Sequence, residues 1–487
     1  MCNKEQTVKT RFAPSPTGFM HIGNLRTALY AYLLAKAQDG RFIVRIEDTD
    51  QERLVEGAVD VILDTLRMTG LSYDEGPEIG GPNGPYVQSE RRDIYKKYAE
   101  QLVAQGDAYY CFCTQERLAA LHDEGGLGGY DRHCRDLSAD EVAARLAAGE
   151  SYVIRQKIPL EGVTSYYDEV FGEISMENKE MQDQILLKAD GYPTYNFAHV
   201  VDDYLMGITH VVRGSEYLTS TPKYVLLYDA FGWERPHYVH LPLLMGQGPD
   251  GKVSKLSKRH GAVSFQDLVA GGYLPEAILN YIALLGWCPK GTNQEVFSLA
   301  ELRQSFSLEG VSKSPSVFDY EKLNWFNSEY IKALSAEDFA ARAVPMLAAV
   351  CPEGTDLARL AALLHTRVIT FAEVPGKVDF VAGRLPLDAE AYTNKKNKTT
   401  PELCLQVLQQ VRPLLADVVD WQNDTLFELL KQYAADSGHK AGAVMWAVRI
   451  AVARKSVTPG GATELMEVFG REESLSRIDL AITELGA

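Results

Sequence analysis

The sequence predicts an α/β fold, a doubly wound parallel sheet, followed by an all-helical C-terminal portion. Three observations carry this. Val8 to Ala13 reads as a short buried strand, Pro14 to Gly18 as a turn, and Ile22, Leu25, Leu29 and Leu33 as one apolar face of a helix. Arg41 to Glu47 repeats the strand, and a helical pattern follows from about Gln51 to Thr69, with Gly70 closing it. Strand, helix, strand, helix implies parallel strands, whose ligands bind beyond the strands' carboxyl ends. Past about Ser328 the strand pattern stops. Ser335 to Leu385 and Pro401 to the C-terminus then read as amphipathic helices, parted by the polar loop Asn394 to Thr400. We find no internal repeat.

The chain has 487 residues, enough for about three or four domains. It is 46% apolar and 24% charged, as ordinary globular proteins are. The net charge of -17 speaks against a polyanionic partner only weakly, because screening over ~8 Å lets local patches decide such contacts. No apolar stretch opens the chain and none reaches the ~18 residues of a membrane span, so a cytosolic or organelle-matrix protein is expected. Seven cysteines, odd in number and mostly scattered, fit a reducing compartment better than a disulfide framework.

The most informative stretch is Arg11 to Arg26, RFAPSPTGFMHIGNLR. It sets His21 and Gly23 at a helix N-terminus, where free backbone N–H groups and the helix dipole favour phosphate. Gly23 lacks a Cβ, so a flat base can lie against the backbone, and His21 can donate a ring N–H to a phosphate oxygen. Far along the chain, Lys255 to Arg259, KLSKR, follows the glycine-rich run GQGPDGK. Alone, the first stretch is a plain bend and the second a solvated basic loop. Together they read as two halves of one nucleotide site.

Taken whole, the first stretch resembles the first signature of class I aminoacyl-tRNA synthetases, and FAPSPTG with HIG resembles the glutamyl branch. KLSKR resembles the second signature, with Leu for Met and Arg for the final Ser. The fourth position of the first signature, often His, is Asn24 here. The resemblance implies a Rossmann-like nucleotide-binding domain, ATP with Mg²⁺ as cofactor, and glutamate activated as an adenylate before transfer to tRNA. Carried over by position, His21, Lys255 and Lys258 are catalytic, and His21, Gly23, Glu216 and Lys258 bind ATP. Arg11, Ala13, Ser15, Glu47, Tyr195, His199 and Arg213 form the glutamate pocket, with Glu47 of RIEDTD on the α-ammonium. Many relatives have Asn at His199. Arg213 carries the specificity: a guanidinium buried beside the pocket needs an anion, and a γ-carboxylate offers two acceptor oxygens where an amide offers one.

Between about Gly84 and Asp190 the alternation of strands and helices breaks down, as an inserted module would make it do. It opens with a helix carrying Arg91 and Arg92. It also holds Cys111-x-Cys113 and Cys134. With Asp136, Tyr130 or His133 as a fourth donor these make a tetrahedral zinc site; otherwise they are reduced cysteines in a small β module. The resemblance favours one structural zinc on Cys111, Cys113, Cys134 and Asp136, Asp136 standing where relatives have His. The same module would hold the acceptor end of tRNA. Within Leu186 to Glu216, Asp190 to Pro193 is a turn signal, and Tyr192, Phe197 and Val200 read as core.

Helices are further expected at Thr221 to Gly232, Leu274 to Leu285 and Ser298 to Phe306, the last capped by Ser298. The resemblance divides the chain into a catalytic region, 1–327, and helical anticodon-binding domains at 328–393 and 394–487. Within the first region it sets Rossmann-like halves at about 1–83 and 190–260, the insert at 84–189 and a stem contact at 261–327. Lys440, Arg449, Arg454 and Lys455 are candidate phosphate contacts, and Arg367 a place to look for anticodon specificity. A monomer acting on glutamate tRNA is expected, with glutamine tRNA left open. Three rivals share parts of this pattern. A glutaminyl enzyme typically ends in β-barrels, and an enzyme glutamylating a modified tRNA base lacks residues like 330–487. A noncatalytic tRNA-binding paralogue would have lost His21, Lys255 or Lys258.

Overall fold

The computed structural model describes residues 7–123, 130–248, 250–257, 260–261 and 263–487. They divide into two compact units, one of residues 7–268 with 275–320, the other of 269–274 with 321–487.

The first unit is built on β1 (Lys9–Phe12), α1 (Ile22–Lys36) and β2 (Arg41–Val44), with β1 and β2 parallel and Arg11 opposite Ile43. Nearly every side of α1 is covered, so the single apolar face read from the sequence is part of a wholly buried helix. Strands lie along one flank, and on the other Tyr30 Oη donates to the carbonyl of Ala283 at 2.9 Å. The predicted helix at 51–69 begins late. Gln51–Arg53 is a single 3-10 turn, Val55 N–H bonds Pro16 O at 3.1 Å, and only after Gly57 (φ 76) does α2 (Ala58–Met68) start.

Gln88–Arg91 is likewise a 3-10 turn ahead of α3 (Arg92–Gln105). The segment that follows holds β3 (Ala108–Cys111), α4 (Gln115–Asp123), α5 (Ala139–Ala147), β4 (Val153–Gln156), β5 (Val163–Asp168), β6 (Gly172–Glu177) and β7 (Ile185–Leu187). β3, β4 and β7 form an antiparallel sheet. The β5–β6 hairpin joins a second sheet through a parallel contact, Asp168 with Tyr238. That sheet is completed by β8 (His210–Gly214) and β9 (His237–Leu241), parallel to each other, with α6 (Tyr195–Leu205) before β8 and α7 (Thr221–Phe231) between the two strands. β8 lies beside β1, where Thr209 N–H donates to Lys9 O at 2.9 Å. The mixed, mainly parallel arrangement is the α/β fold expected. Ile43, Tyr86, Met206, Ile208, Val211, Val225 and Tyr238 form an apolar core within it. Phe197 and Val200 are buried as expected, whereas Tyr192 is only half-buried, under the Arg92 guanidinium at 4.2 Å.

The second unit is helical, with spans at 336–348, 357–364, 401–416, 423–437, 441–453 and 462–485. Its helix starts follow local chemistry: Ser335 accepts from Asp338 N at 3.0 Å, and Thr400 from Leu403 N at 3.3 Å with Pro401 at the first helical position. Leu360, Leu408, Val444 and Leu465 are fully buried in it. Three of the four cations proposed as phosphate contacts are engaged internally. Arg454 is buried and pairs with Glu484 at 2.5 Å, Lys455 pairs with Asp379 at 2.5 Å, and Arg449 donates to Ser456 O at 3.0 Å. Lys440 is exposed, as is Arg367. Among the described residues no helix is long and apolar enough to cross a membrane.

Candidate active site

A cleft of about 580 Å³ opens at the carboxyl ends of β1 and β8. Ten of the predicted residues line it: Arg11, Ala13, Ser15, His21, Gly23, Glu47, Tyr195, Arg213, Glu216 and Lys255. Lys258, like Arg259, lies outside the described residues.

The first signature is joined by main chain to residues 263–265, a few positions beyond the second. Met20 O accepts from Phe265 N–H at 2.9 Å and Val263 O from Ile22 N–H at 3.0 Å, with His21 bridging to Ser264. Leu256 and Ser257 reach the same cleft, and Lys255 stands 3.6 Å from Glu216. His21 caps α1, its Nδ1 accepting from Gly23 N–H at 3.0 Å. Burial and then the charge of Lys255 lower its pKa, so the ring is neutral at pH 7 and the proton sits on Nε2. A Cβ on Gly23 would stand 3.2 Å from that Nδ1, tight enough to disturb the cap.

On the other side of the cleft is a buried ionic network that the sequence reading missed. Arg45, with no exposure, reaches Glu47 at 2.8 Å and Asp203 at 2.9 Å, and Arg11 also holds Asp203 at 3.1 Å. Burial alone would raise the Asp203 pKa, but Arg11 and Arg45 outweigh it and hold the carboxyl at about 2. Glu47 goes the other way: burial outweighs Arg45 and its pKa is raised. Behind them Asp202 accepts from Arg91 at 2.7 Å, Gln88 at 2.8 Å and Tyr95 at 2.8 Å. The signal was present in RFIVRIE, where Arg45 interrupts a run otherwise fit for a buried strand and two residues later comes an acid.

Arg213 is buried at 4% exposure, and among the described residues no carboxylate lies within ion-pair distance of it. Its partners are neutral: His240 Nε2 at 3.1 Å, Thr221 Oγ1 at 2.7 Å and His199 Nε2 at 3.4 Å. The rings of Tyr217 and Tyr224 lie about it, centroids 5.0 and 4.8 Å away. His199 itself does not line the cleft. It sits one layer behind, stacked on Tyr195 with ring centroids 4.9 Å apart and its Nδ1 2.8 Å from Tyr195 O.

The cysteines also come together. The Sγ atoms of Cys111, Cys113 and Cys134 lie within 4.8 Å of one another, all as free thiols, with Cys113 and Cys134 3.6 Å apart. Tyr130 Oη is 3.2 Å from Cys111 Sγ, and Arg155 lies 3.9 Å over the Tyr130 ring. Asp136 does not join them: its side chain is 87% exposed and turns to Lys157, 4.0 Å away. His133 is exposed and also outside the group. The donor set that fits a tetrahedral metal is therefore three sulfurs and the Tyr130 oxygen.

Comparison with known proteins agrees with this geometry. Residues 7–325 match the family model described as tRNA synthetases class I (E and Q), catalytic domain, and residues 338–482 match an anticodon binding domain. The fold and its cleft are thus those of a class I tRNA synthetase. A curated glutamate–tRNA ligase of Clostridium botulinum is 54% identical over 491 residues, covering 100% of both chains, and one of Clostridium tetani is 51% identical over 482 residues, covering 98% of each. A solved structure of a glutamate tRNA ligase from Elizabethkingia meningosepticum, in complex with its amino acid, is 35% identical and superposes with a TM-score of 0.89, covering 98% of this chain and 100% of that one. The chain belongs to the glutamate–tRNA ligase family.

Proposed function

We infer that this chain ligates L-glutamate to the 3′-terminal adenosine of glutamate tRNA, through a glutamyl-adenylate formed from ATP. One observation carries the choice of amino acid: a buried guanidinium, Arg213, facing the cleft with no carboxylate among the described residues within ion-pair distance. Beside it, Arg11 and Arg45 pair with Glu47 and Asp203, and Arg91 pairs with Asp202, so none of these carboxylates is in contact with Arg213. Glutamate, with two carboxylates and one ammonium, carries one net negative charge and neutralises Arg213. Glutamine carries none and would leave a charge buried unpaired.

The roles follow from this. Glu47 receives the α-ammonium, Arg213 the γ-carboxylate, and Arg11, Ala13, Ser15 and Tyr195 complete the pocket wall. On the other side the N-terminus of α1, with His21 Nε2–H and Gly23, receives the ATP phosphates, with Lys255, Lys258 and Glu216 from the facing segments. As the α-carboxylate attacks the α-phosphorus, charge grows on the non-bridging oxygens and pyrophosphate leaves. His21 and Lys255, which line the cleft, are the donors assigned to that charge, with Lys258 joined to them only by its match to the second signature; each such donor is worth ~2.7–4 kcal/mol of barrier. Mg²⁺ accompanies the triphosphate. The 2′-hydroxyl of the terminal adenosine then takes the glutamyl group. No side chain need act as general base, since positioning and charge stabilisation supply the rate.

Residues 84–189 are assigned to the tRNA acceptor end and the helical unit to the anticodon. Cys111, Cys113, Cys134 and Tyr130 would hold one zinc ion, which there ties β3 to the following loop and supplies no chemistry to the reaction. Aminoacylation with labelled glutamate, ATP and purified tRNAs tests the reading. Charging of glutamate tRNA is expected; labelling with glutamine but not glutamate would refute it, and purified glutamine tRNA as a second acceptor settles the range of partners.

A further inference from the structure

Arg213 and His240 are direct cross-strand partners in the parallel β8–β9 pair, and behind them Asp168 ends β5. Their side chains form a line: Asp168 Oδ2 is 2.6 Å from His240 Nδ1, and His240 Nε2 is 3.1 Å from Arg213 Nε. All three are buried, Asp168 and His240 completely. A carboxylate can only accept, so the His240 proton sits on Nδ1 and its Nε2 is an acceptor turned at Arg213. His199 is fixed the same way by the Tyr195 carbonyl and accepts from Arg213 Nη1, while Thr221, whose hydroxyl donates to Tyr217 O at 2.8 Å, accepts from Nη2. A guanidinium has five N–H groups. Three are thereby taken, and one remains on each terminal nitrogen.

We propose that His240, with its tautomer held by Asp168, is a specificity-determining positioning residue: it fixes the Arg213 guanidinium so that the two remaining N–H groups form a fork for a side-chain carboxylate. The inference rests on the reading of Arg213 as the γ-carboxylate partner. Neutral acceptors suit this task, because a carboxylate in place of His240 would neutralise Arg213 and remove the demand for an acidic substrate. The relay supplies orientation while keeping its own carboxylate, Asp168, out of contact with Arg213, on the far side of the His240 ring. Asp168 is itself pinned, its Oδ1 accepting from the backbone N–H of Val170 and Phe171 and its Oδ2 also from that of His240.

That pinning makes the test selective. In Asp168→Asn the amide oxygen keeps the Oδ1 place, where two backbone N–H groups need an acceptor, so the –NH₂ takes the Oδ2 place and drives His240 to carry its proton on Nε2, against Arg213 Nε–H. In His240→Asn the amide can still donate to Asp168 but offers Arg213 no acceptor, while the longer His240→Gln returns an oxygen near the Nε2 position. The measurement is ATP–pyrophosphate exchange on the full chain with tRNA present, giving KM for glutamate and for ATP, with glutamine as competitor, alongside the Tm of each variant. His240→Asn and Asp168→Asn should raise KM for glutamate ~10-fold or more, as loss of one charge-assisted hydrogen bond does, and erode discrimination against glutamine by a like factor. KM for ATP should stay within about twofold of wild type, and His240→Gln should recover most of the loss. An unchanged KM for glutamate in folded His240→Asn overturns the proposal. So does a matching rise of both KM values with a fall in Tm that His240→Gln fails to relieve. Should His240→Asn not fold, Asp168→Asn is judged against wild type by the same criteria. Arg213→Ala separates the two layers: if it leaves KM for glutamate unchanged, the underlying reading of Arg213 falls; if it abolishes exchange while the relay variants behave as wild type, only the relay does.

Discussion

Glu47 rests on Arg45, Oε1 to Nη2 at 2.8 Å, and Arg45 has no contact with solvent at all. The carboxylate proposed to meet the substrate's ammonium is thus held from below by a cation that Asp203 shares. Burial nevertheless raises the Glu47 pKa above its ordinary 4.5. Only the ionised form pairs with an ammonium, so KM for glutamate should climb as the pH falls, starting at a higher pH than an ordinary glutamate would cause. The folded-state pKa lies above the unfolded one, so the contribution of Glu47 to stability runs the opposite way, present at low pH and lost as pH rises through the raised value. A pH profile of KM for glutamate against that for ATP checks this; parallel profiles would contradict it.

Arg213→Ala should abolish the preference for glutamate while sparing ATP. Removing one partner of a buried charge pair costs about 2–5 kcal/mol, which in kcat/KM for glutamate is ~30- to ~5,000-fold. Exchange kinetics with tRNA present, together with equilibrium binding of ATP, measure the two effects separately.

His21 both caps α1 and lines the cleft, hydrogen-bonded there to the Leu256 backbone. In His21→Asn the side-chain oxygen can still cap Gly23, so Tm should hold, while the donor to phosphate is lost and kcat should drop ~10²- to 10³-fold. An unchanged kcat would remove His21 from the phosphate site.

Zinc content follows the donor set. Chelator-washed, zinc-reloaded protein should hold one ion per chain by metal analysis, Cys113→Ser and Tyr130→Phe should weaken retention, and Asp136→Ala should not. Equal retention in Tyr130→Phe and wild type would exclude the phenol oxygen as fourth ligand.

Asp202 lies beneath the site and touches no substrate, yet it receives Arg91, Gln88 and Tyr95 and stands 3.6 Å from Arg45. Asp202→Ala leaves two guanidinium groups short of a counter-charge in the interior. Destabilisation of about 3–5 kcal/mol is expected, read as a lowered urea midpoint for the first unit.

The helix behind the HIG signature, the strands flanking it and the helical C-terminal half were legible because they rest on local chemistry. Pro and Gly place the bend, apolar spacing shapes the helix, and Ser298 caps the helix after it, its Oγ accepting from Glu301 N–H at 3.2 Å as the sequence implies. Arg213 was named through the resemblance of VVRGSE to the family's nucleotide-binding half, and it lines the cleft. Asp136 misled because spacing alone cannot tell which way a side chain turns: it faces solvent, and Tyr130, four residues before Cys134, faces the thiols. The same limit hid the engagement of Arg454 and Lys455, whose partners Glu484 and Asp379 lie far off in the sequence.

By itself, then, the sequence determined the elements, the signature motifs and the residue types at the cleft, because these depend on neighbours a few positions away. The tertiary structure alone decided which groups are charged, paired or tautomerically fixed. Arg45 meets Asp203 from 158 residues away, and Asp168 orders His240 from 72. The energies of buried charges depend on such long-range contacts and on exclusion of water, and neither is written in any single stretch of chain.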